Sequence, residues 1–173
     1  MQAHEPHCRR RFNVGDHWGE MLPFPDLDDL VARFAACRLP HEEWTHQAHL
    51  AVGMWHVDRY GADDALARLR IGIQQLNDSH GTPNSATRGY HETITRAYVQ
   101  LLVGFLEACP AAMPLTERVA QLLASPVADK DVLLRFYSRE RLMSTEARMA
   151  WLEPDLRPLR VADALESKSD GGS

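Results

Sequence analysis

The sequence predicts an all-α protein, a compact single-domain bundle of five to seven helices. Three observations lead there. Apolar residues recur at helical spacing through most segments between residues 27 and 152. No segment sustains the alternation of a half-buried strand. Prolines and Gly/Ser/Asn-rich stretches punctuate the chain at helix-length intervals.

The elements follow in order. In LDDLVARFAACRL, Leu27, Leu30, Val31, Phe34 and Cys37/Leu39 keep a helical period, with Asp26 as N-cap and Pro40 as the stop. A second helix is expected from about Glu42 to Tyr60, with Glu42 and Glu43 in its first turn, where acidic groups suit the macrodipole, and Gly61 ending it. Asp63 and Asp64 open a third, to about Asn77. DSHGTPNSATRG is a loop. A fourth helix covers roughly Tyr90 to Ala108, and LTERVAQLLA forms a fifth after Pro114. Pro126 separates that from DKDVLLRFY; a last helical piece covers Ser144 to Leu152, and WLEPDLRPL runs irregular. Residues 1–22 read as a flexible extension, 23–162 as the helical domain and 163–173 as a disordered tail. His4, His7, Cys8 and His17 in the extension lack a periodic scaffold on which to converge.

Composition narrows the function classes. Among 173 residues, Asp+Glu (24) outnumber Lys+Arg (19), for a net charge of −5, and no long basic run exists. Nucleic acid and anionic membrane surfaces are therefore not expected partners. Three scattered cysteines, Cys8, Cys37 and Cys109, argue against a disulfide framework and suit a reducing, cytoplasmic setting. No apolar run approaches the ~20 residues of a membrane span, and the N-terminal stretch has no signal-peptide core. The P-loop, dinucleotide fingerprint, G-x-S-x-G elbow, CxxC pairs and HExxH are all missing.

The chemistry-bearing feature is WTHQAHL, Trp44 to Leu50. His46 and His49 lie three apart, hence on one helix face with Cβ atoms roughly 5–6 Å apart. Glu42, His46, His49, Gly53, His56 and Tyr60 share a stripe, with Trp44, Ala48, Ala51 and Trp55 opposite. A helix apolar around most of its surface is central, so buried imidazoles need partners. Gly53 on that stripe marks the close approach of a ligand or another helix. GYHET, Gly89 to Thr93, opens the fourth helix with His91 and Glu92. Facing imidazoles can bridge the ~8–10 Å between helix axes, so His46, His49 and His91 are the expected ligands of one divalent transition metal: iron, copper, zinc or nickel. Glu42, Glu43 or Glu92 would be a supporting group, a fourth ligand or a general base. The plainer alternative is a set of histidines hydrogen-bonded to backbone, carboxylate or water.

His56 is expected to bond Tyr60 or a neighbouring helix, and His41 and His80 to be solvated. In RFYSRERLMSTEARMAWLEPDLRPL, Tyr137, Arg139, Arg141, Arg148 and Trp151 offer substrate contacts; the favoured alternative is a surface salt-bridged through Glu140, Glu146, Glu153 and Asp155. Asn77, Asn84 and Arg88 suit a lid over the same site. Cys37 and Cys109 read as small packing groups.

The run of LPHEEWTHQAHL, NDSHGTPNSATRGYHET and FYSRERLMSTEARMAWLEPDLRPL resembles a family of small, mostly uncharacterised all-α bacterial proteins with WTHxAHL and GYHET segments. The similarity spans roughly Leu27 to Leu159 and implies no assigned activity. DinB-like bundles, which hold a metal with three histidines, offer a looser analogy whose ligand spacings differ. Two functions stay open. One is a metal-dependent enzyme acting on a small organic substrate, an oxidoreductase being favoured over a Lewis-acid hydrolase, lyase or transferase. The other is a non-catalytic module binding a small ligand or a partner helix.

Overall fold

The computed structural model describes residues 22–166; the expectations for His4, His7, Cys8 and His17, and for residues 167–173, lie outside the described residues. Among the described residues there are seven α-helices, three short 3-10 turns and no strand, an all-α bundle as the periodicity predicts.

Helix α1 (Leu27–Ala35) starts where the Asp26 carboxylate accepts from the Asp29 N–H at 2.9 Å, and it buries Leu27, Leu30, Val31 and Phe34. A 3-10 turn (His41–Glu43) follows. Helix α2 (His46–Ser79) therefore begins later than the sequence suggests, because the Thr45 hydroxyl caps it, accepting from the Ala48 N–H at 3.2 Å. Glu42 and Glu43 thus sit ahead of the helix rather than in its first turn. The long α2 is broken at Gly61, whose φ of 75° and ψ of 177° lie outside the helical region. Only glycine adopts that conformation readily, so the expected stop is real. The chain resumes a helix at once, which makes two limbs of one element.

Helix α3 (Glu92–Ala108) packs along α2 in the most extensive interface of the molecule. Gly53 sits at this crossing: a Cβ there would lie 2.8 Å from the Leu102 methyl, so the close approach read from the sequence is to a helix, not to a ligand. Helix α4 (Leu115–Leu123) packs on α2, and α5 (Arg139–Leu142) and α6 (Thr145–Met149) close over the start of α3. Helix α7 (Val161–Leu165) lies against α3 and buries Ala164 completely, so chain reaching past residue 162 is part of the packed body.

Leu30, Phe34, Leu50, Met54, Leu101, Leu102, Leu122 and Phe136 are almost fully buried in one continuous core. Each such side chain contributes roughly 1.5–3 kcal/mol of burial free energy. This core fixes α2 against α3 and so fixes the groups along their seam.

Candidate functional site

A cavity of about 310 Å³ opens along that seam, bounded by both limbs of α2, by α3 and by Trp44. Its wall is mostly apolar: Leu50, Leu69, Ile73, Ile94, Val99 and Leu102, with Trp44 at one side. The polar groups on it are His46, His49, Thr95 and Tyr98. The size is at the lower end of small-molecule sites, and an apolar wall with few polar groups is their usual composition.

His46 and His49, one turn apart in the first turn of α2, both face this cavity, as the HxxH spacing predicts. The His49 Nδ1–H donates to the Thr45 carbonyl at 2.8 Å, which leaves Nε2 as a lone pair. Its ring stacks on Trp44 with centroids 3.7 Å apart, and Trp44 in turn stacks on Phe34 at 5.0 Å. Trp44 therefore lies beside the histidines and not on the opposite stripe. It precedes the Thr45 cap, outside the helix whose 100° steps placed it there. Burial pushes His49 down to about 4, with the neighbouring His46 adding to the shift, so the ring is neutral at physiological pH.

His46 is the more unusual of the two. Its Nε2 is buried and, among the described residues, has no hydrogen-bond partner. Desolvation lowers its pKa, against an opposing pull from the Ala128 backbone. The ring meets Tyr98 edge-on at 5.6 Å, and burial raises the Tyr98 phenol strongly, so that hydroxyl stays protonated. Buried polar atoms without partners are rare in proteins, and each costs about 1–3 kcal/mol.

His91 is not brought to the pair. It caps α3: its Nδ1 accepts from the Ile94 N–H at 3.3 Å, and its Nε2–H donates to the Leu142 carbonyl at 3.0 Å. With both nitrogens engaged, no lone pair remains for a metal. Burial, together with the nearby Arg148 charge, pushes it down to about 4. Among the described residues no three His, Cys, Asp or Glu side chains come together as a possible metal-binding group. The three carboxylates lie elsewhere too. Glu42 and Glu43 are exposed, Glu43 pairs with Arg33 at 2.7 Å, and neither lines the cavity. Glu92 is held by Arg70, at 2.9 and 2.6 Å, and accepts from the Tyr90 hydroxyl at 2.9 Å.

GYHET is thus a structural junction. Gly89, at φ 80°, brings its backbone so close to Pro83 and Asn84 that a Cβ would lie 2.5 Å from the Pro83 oxygen. The fully buried Thr93 hydroxyl donates to the Ala150 carbonyl at 2.7 Å and accepts from the Leu152 N–H at 3.0 Å. Among the described residues the polar C-terminal segment makes no ion pair and is hydrogen-bonded to backbone instead: Tyr137 to Leu152, Arg141 to Glu153 and Arg148 to Gly89 and Tyr90. Arg96 lies over the Trp151 ring at 4.8 Å. Asn84 ties the loop to α2 through Asn77, Gln74 and Asp78, away from the histidine cavity, so the expected lid does not cover it.

The remaining histidines have local roles. The His56 Nδ1–H donates to the Val52 carbonyl at 2.8 Å, its ring packed edge-on to Phe34 and beside Tyr60. His80 is half-buried and donates to the Leu39 carbonyl at 2.8 Å, while the exposed His41 lies against its ring. Sequence reasoning missed Tyr98, which the 3.6-residue period places on the α3 face turned toward the HxxH pair; Thr95, expected to cap backbone or line a pocket, does both, donating to the His91 carbonyl at 2.9 Å.

No known protein-family model matches the chain, and neither a curated protein nor a solved structure of significant similarity was found. Among the described residues no helix is long and apolar enough to cross a membrane.

Proposed function

We propose that the protein binds a small, largely apolar molecule carrying a hydroxyl group in the cavity between α2 and α3. The observation that carries this reading is the buried, unpartnered Nε2 of His46 in an otherwise apolar wall. The His49 ring, whose Nε2 is an acceptor, lines the same space. The His46 ring donates toward the Ala128 backbone, so its Nε2 is a lone pair as well; a ligand hydroxyl donates its O–H to one of these two acceptors and accepts from the protonated Tyr98 hydroxyl. The apolar body of the ligand rests on Leu50, Leu69, Ile73 and Leu102.

The test uses p-cresol and toluene, which differ by one hydroxyl. The wild type is expected to bind p-cresol at least about tenfold more tightly, the value of one hydrogen bond to a buried acceptor. The His46→Leu variant should lose that preference while still binding toluene. Equal affinities in the wild type would refute the reading.

A second reading is a metal-dependent enzyme, with iron, copper, zinc or nickel held by the HxxH pair alone and the small molecule as its substrate. Two imidazoles facing one cavity favour it. It would draw its other ligands from substrate or solvent, since His91 is engaged. Elemental analysis of untagged protein separates the two: about one equivalent of metal, lost in His49→Ala, supports the enzyme.

A further inference from the structure

A second, more polar cavity of about 240 Å³ lies on the other side of the α3 N-terminus, lined by Arg70, Gln74, Asn84, Ser85, Tyr90, Glu92, Arg148 and Met149. Its charges do not balance internally. Glu92 is saturated by Arg70, through two hydrogen bonds, and by the Tyr90 hydroxyl, so those two opposite charges cancel. Arg148 is half-buried and, among the described residues, has no carboxylate within ion-pair distance. It spends one nitrogen, Nη1, on the Gly89 and Tyr90 carbonyls at 2.9 and 3.3 Å. Its Nε and Nη2 donors remain, and a partly desolvated guanidinium without a counter-charge is unfavourable.

The wall around it is rigid. Asn84 is held by hydrogen bonds to Asn77, Gln74, Asp78 and the Tyr90 N–H, and the Ser85 hydroxyl oxygen accepts from the Thr87 and Arg88 amides. That leaves the Ser85 O–H as a donor, and Gln74, whose side chain carries an amide donor, lines the same space. A fixed, unpaired guanidinium with neutral donors beside it matches the planar, bidentate chemistry of oxyanions.

We propose that this second cavity is an oxyanion site, in which Arg148, assisted by Ser85 and Gln74, holds the carboxylate or phosphate group of a small molecule. It is independent of the ligand at the histidine pair.

The experiment is a ¹H–¹⁵N NMR titration of the whole chain with inorganic phosphate and, separately, acetate, at ionic strength fixed with sodium chloride. Saturable shifts are expected at the amides of Ser85 and Gly89 and at the Arg148 Nε–H. Tighter binding of phosphate or of acetate identifies which oxyanion the site is built for. Arg148→Gln should weaken binding at least about tenfold, the loss of a charge-assisted hydrogen bond. Gln74→Glu should weaken it as much by placing a carboxylate beside Arg148, and it leaves the Arg148 contacts to Gly89 and Tyr90 intact. Arg139→Gln, on an exposed residue outside the cavity, should change nothing. Should Arg148→Gln disturb the loop, Gln74→Glu decides. Shifts that follow chloride equally, no saturable response, or wild-type affinity in Gln74→Glu would overturn the proposal.

Discussion

Substituting His46 and His91 should move stability in opposite directions, although the two residues look equivalent in the sequence. In His46→Leu a buried nitrogen without a partner is removed. Relief of its desolvation is worth about 1–3 kcal/mol, against about 0.5–1.5 kcal/mol for the lost interaction with the Ala128 backbone. The net expectation is a gain of about 1 kcal/mol, or roughly 2–4 °C in Tm for a chain of this size. In His91→Ala the α3 cap disappears, at about 0.5–2 kcal/mol, and the Leu142 carbonyl loses its donor, at about 1–3 kcal/mol. The sum is a loss of roughly 2–5 kcal/mol. Urea unfolding at pH 7.5 reads both: the midpoint should rise for His46→Leu and fall for His91→Ala with the m-value unchanged. If His46→Leu costs more than about 1 kcal/mol, or His91→Ala is neutral, the assignment of one histidine to ligand and the other to architecture is wrong.

Three further outcomes follow from the same contacts. Burial holds His49 and His91 at about 4, below the ordinary 6.5, so the unfolded chain takes up protons that the folded chain refuses; stability should be full above pH ~6.5 and fall as pH drops toward 4, by roughly 3 kcal/mol for His91. Urea midpoints at stepped pH check this, and His91→Asn should flatten the decline. Thr93→Val keeps the shape but leaves the Ala150 carbonyl and the Leu152 N–H unpaired, with an expected loss of about 2–4 kcal/mol in the same unfolding assay. Gly61→Ala forces a side chain onto φ 75°, ψ 177° and should cost about 1–3 kcal/mol, read as a lowered Tm by circular dichroism.

What could be read from the chain depended on range. The α1 pattern, its Asp26 cap, the Gly61 break and the shared face of His46 and His49 all follow from residues within one or two turns of each other, where helical geometry is decisive. The local reading failed by a few residues at the start of α2, where the Thr45 cap begins the helix after Glu42 and Glu43, the residues expected in its first turn, and leaves Trp44 outside it. GYHET was beyond reach for a different reason. The partners that satisfy His91 and Thr93 are the carbonyls of Leu142 and Ala150 and the amide of Leu152, 51, 57 and 59 residues along the chain. Backbone atoms carry no residue-type signal, so a buried, fully bonded histidine looks the same in sequence as a ligating one. Gly53 was open between a ligand and a helix for a related reason: the spacing marks a close approach without naming its partner, which is Leu102.

Histidine side-chain ¹⁵N NMR, recorded with and without p-cresol, examines the imidazole pair most directly. Addition of p-cresol should move the Nε2 resonances of His46 and His49 and leave His91 fixed as the Nε2–H tautomer bonded to Leu142. A response at His91 in step with the other two, or none at His46 and His49, would contradict a ligand site built on the HxxH face of α2.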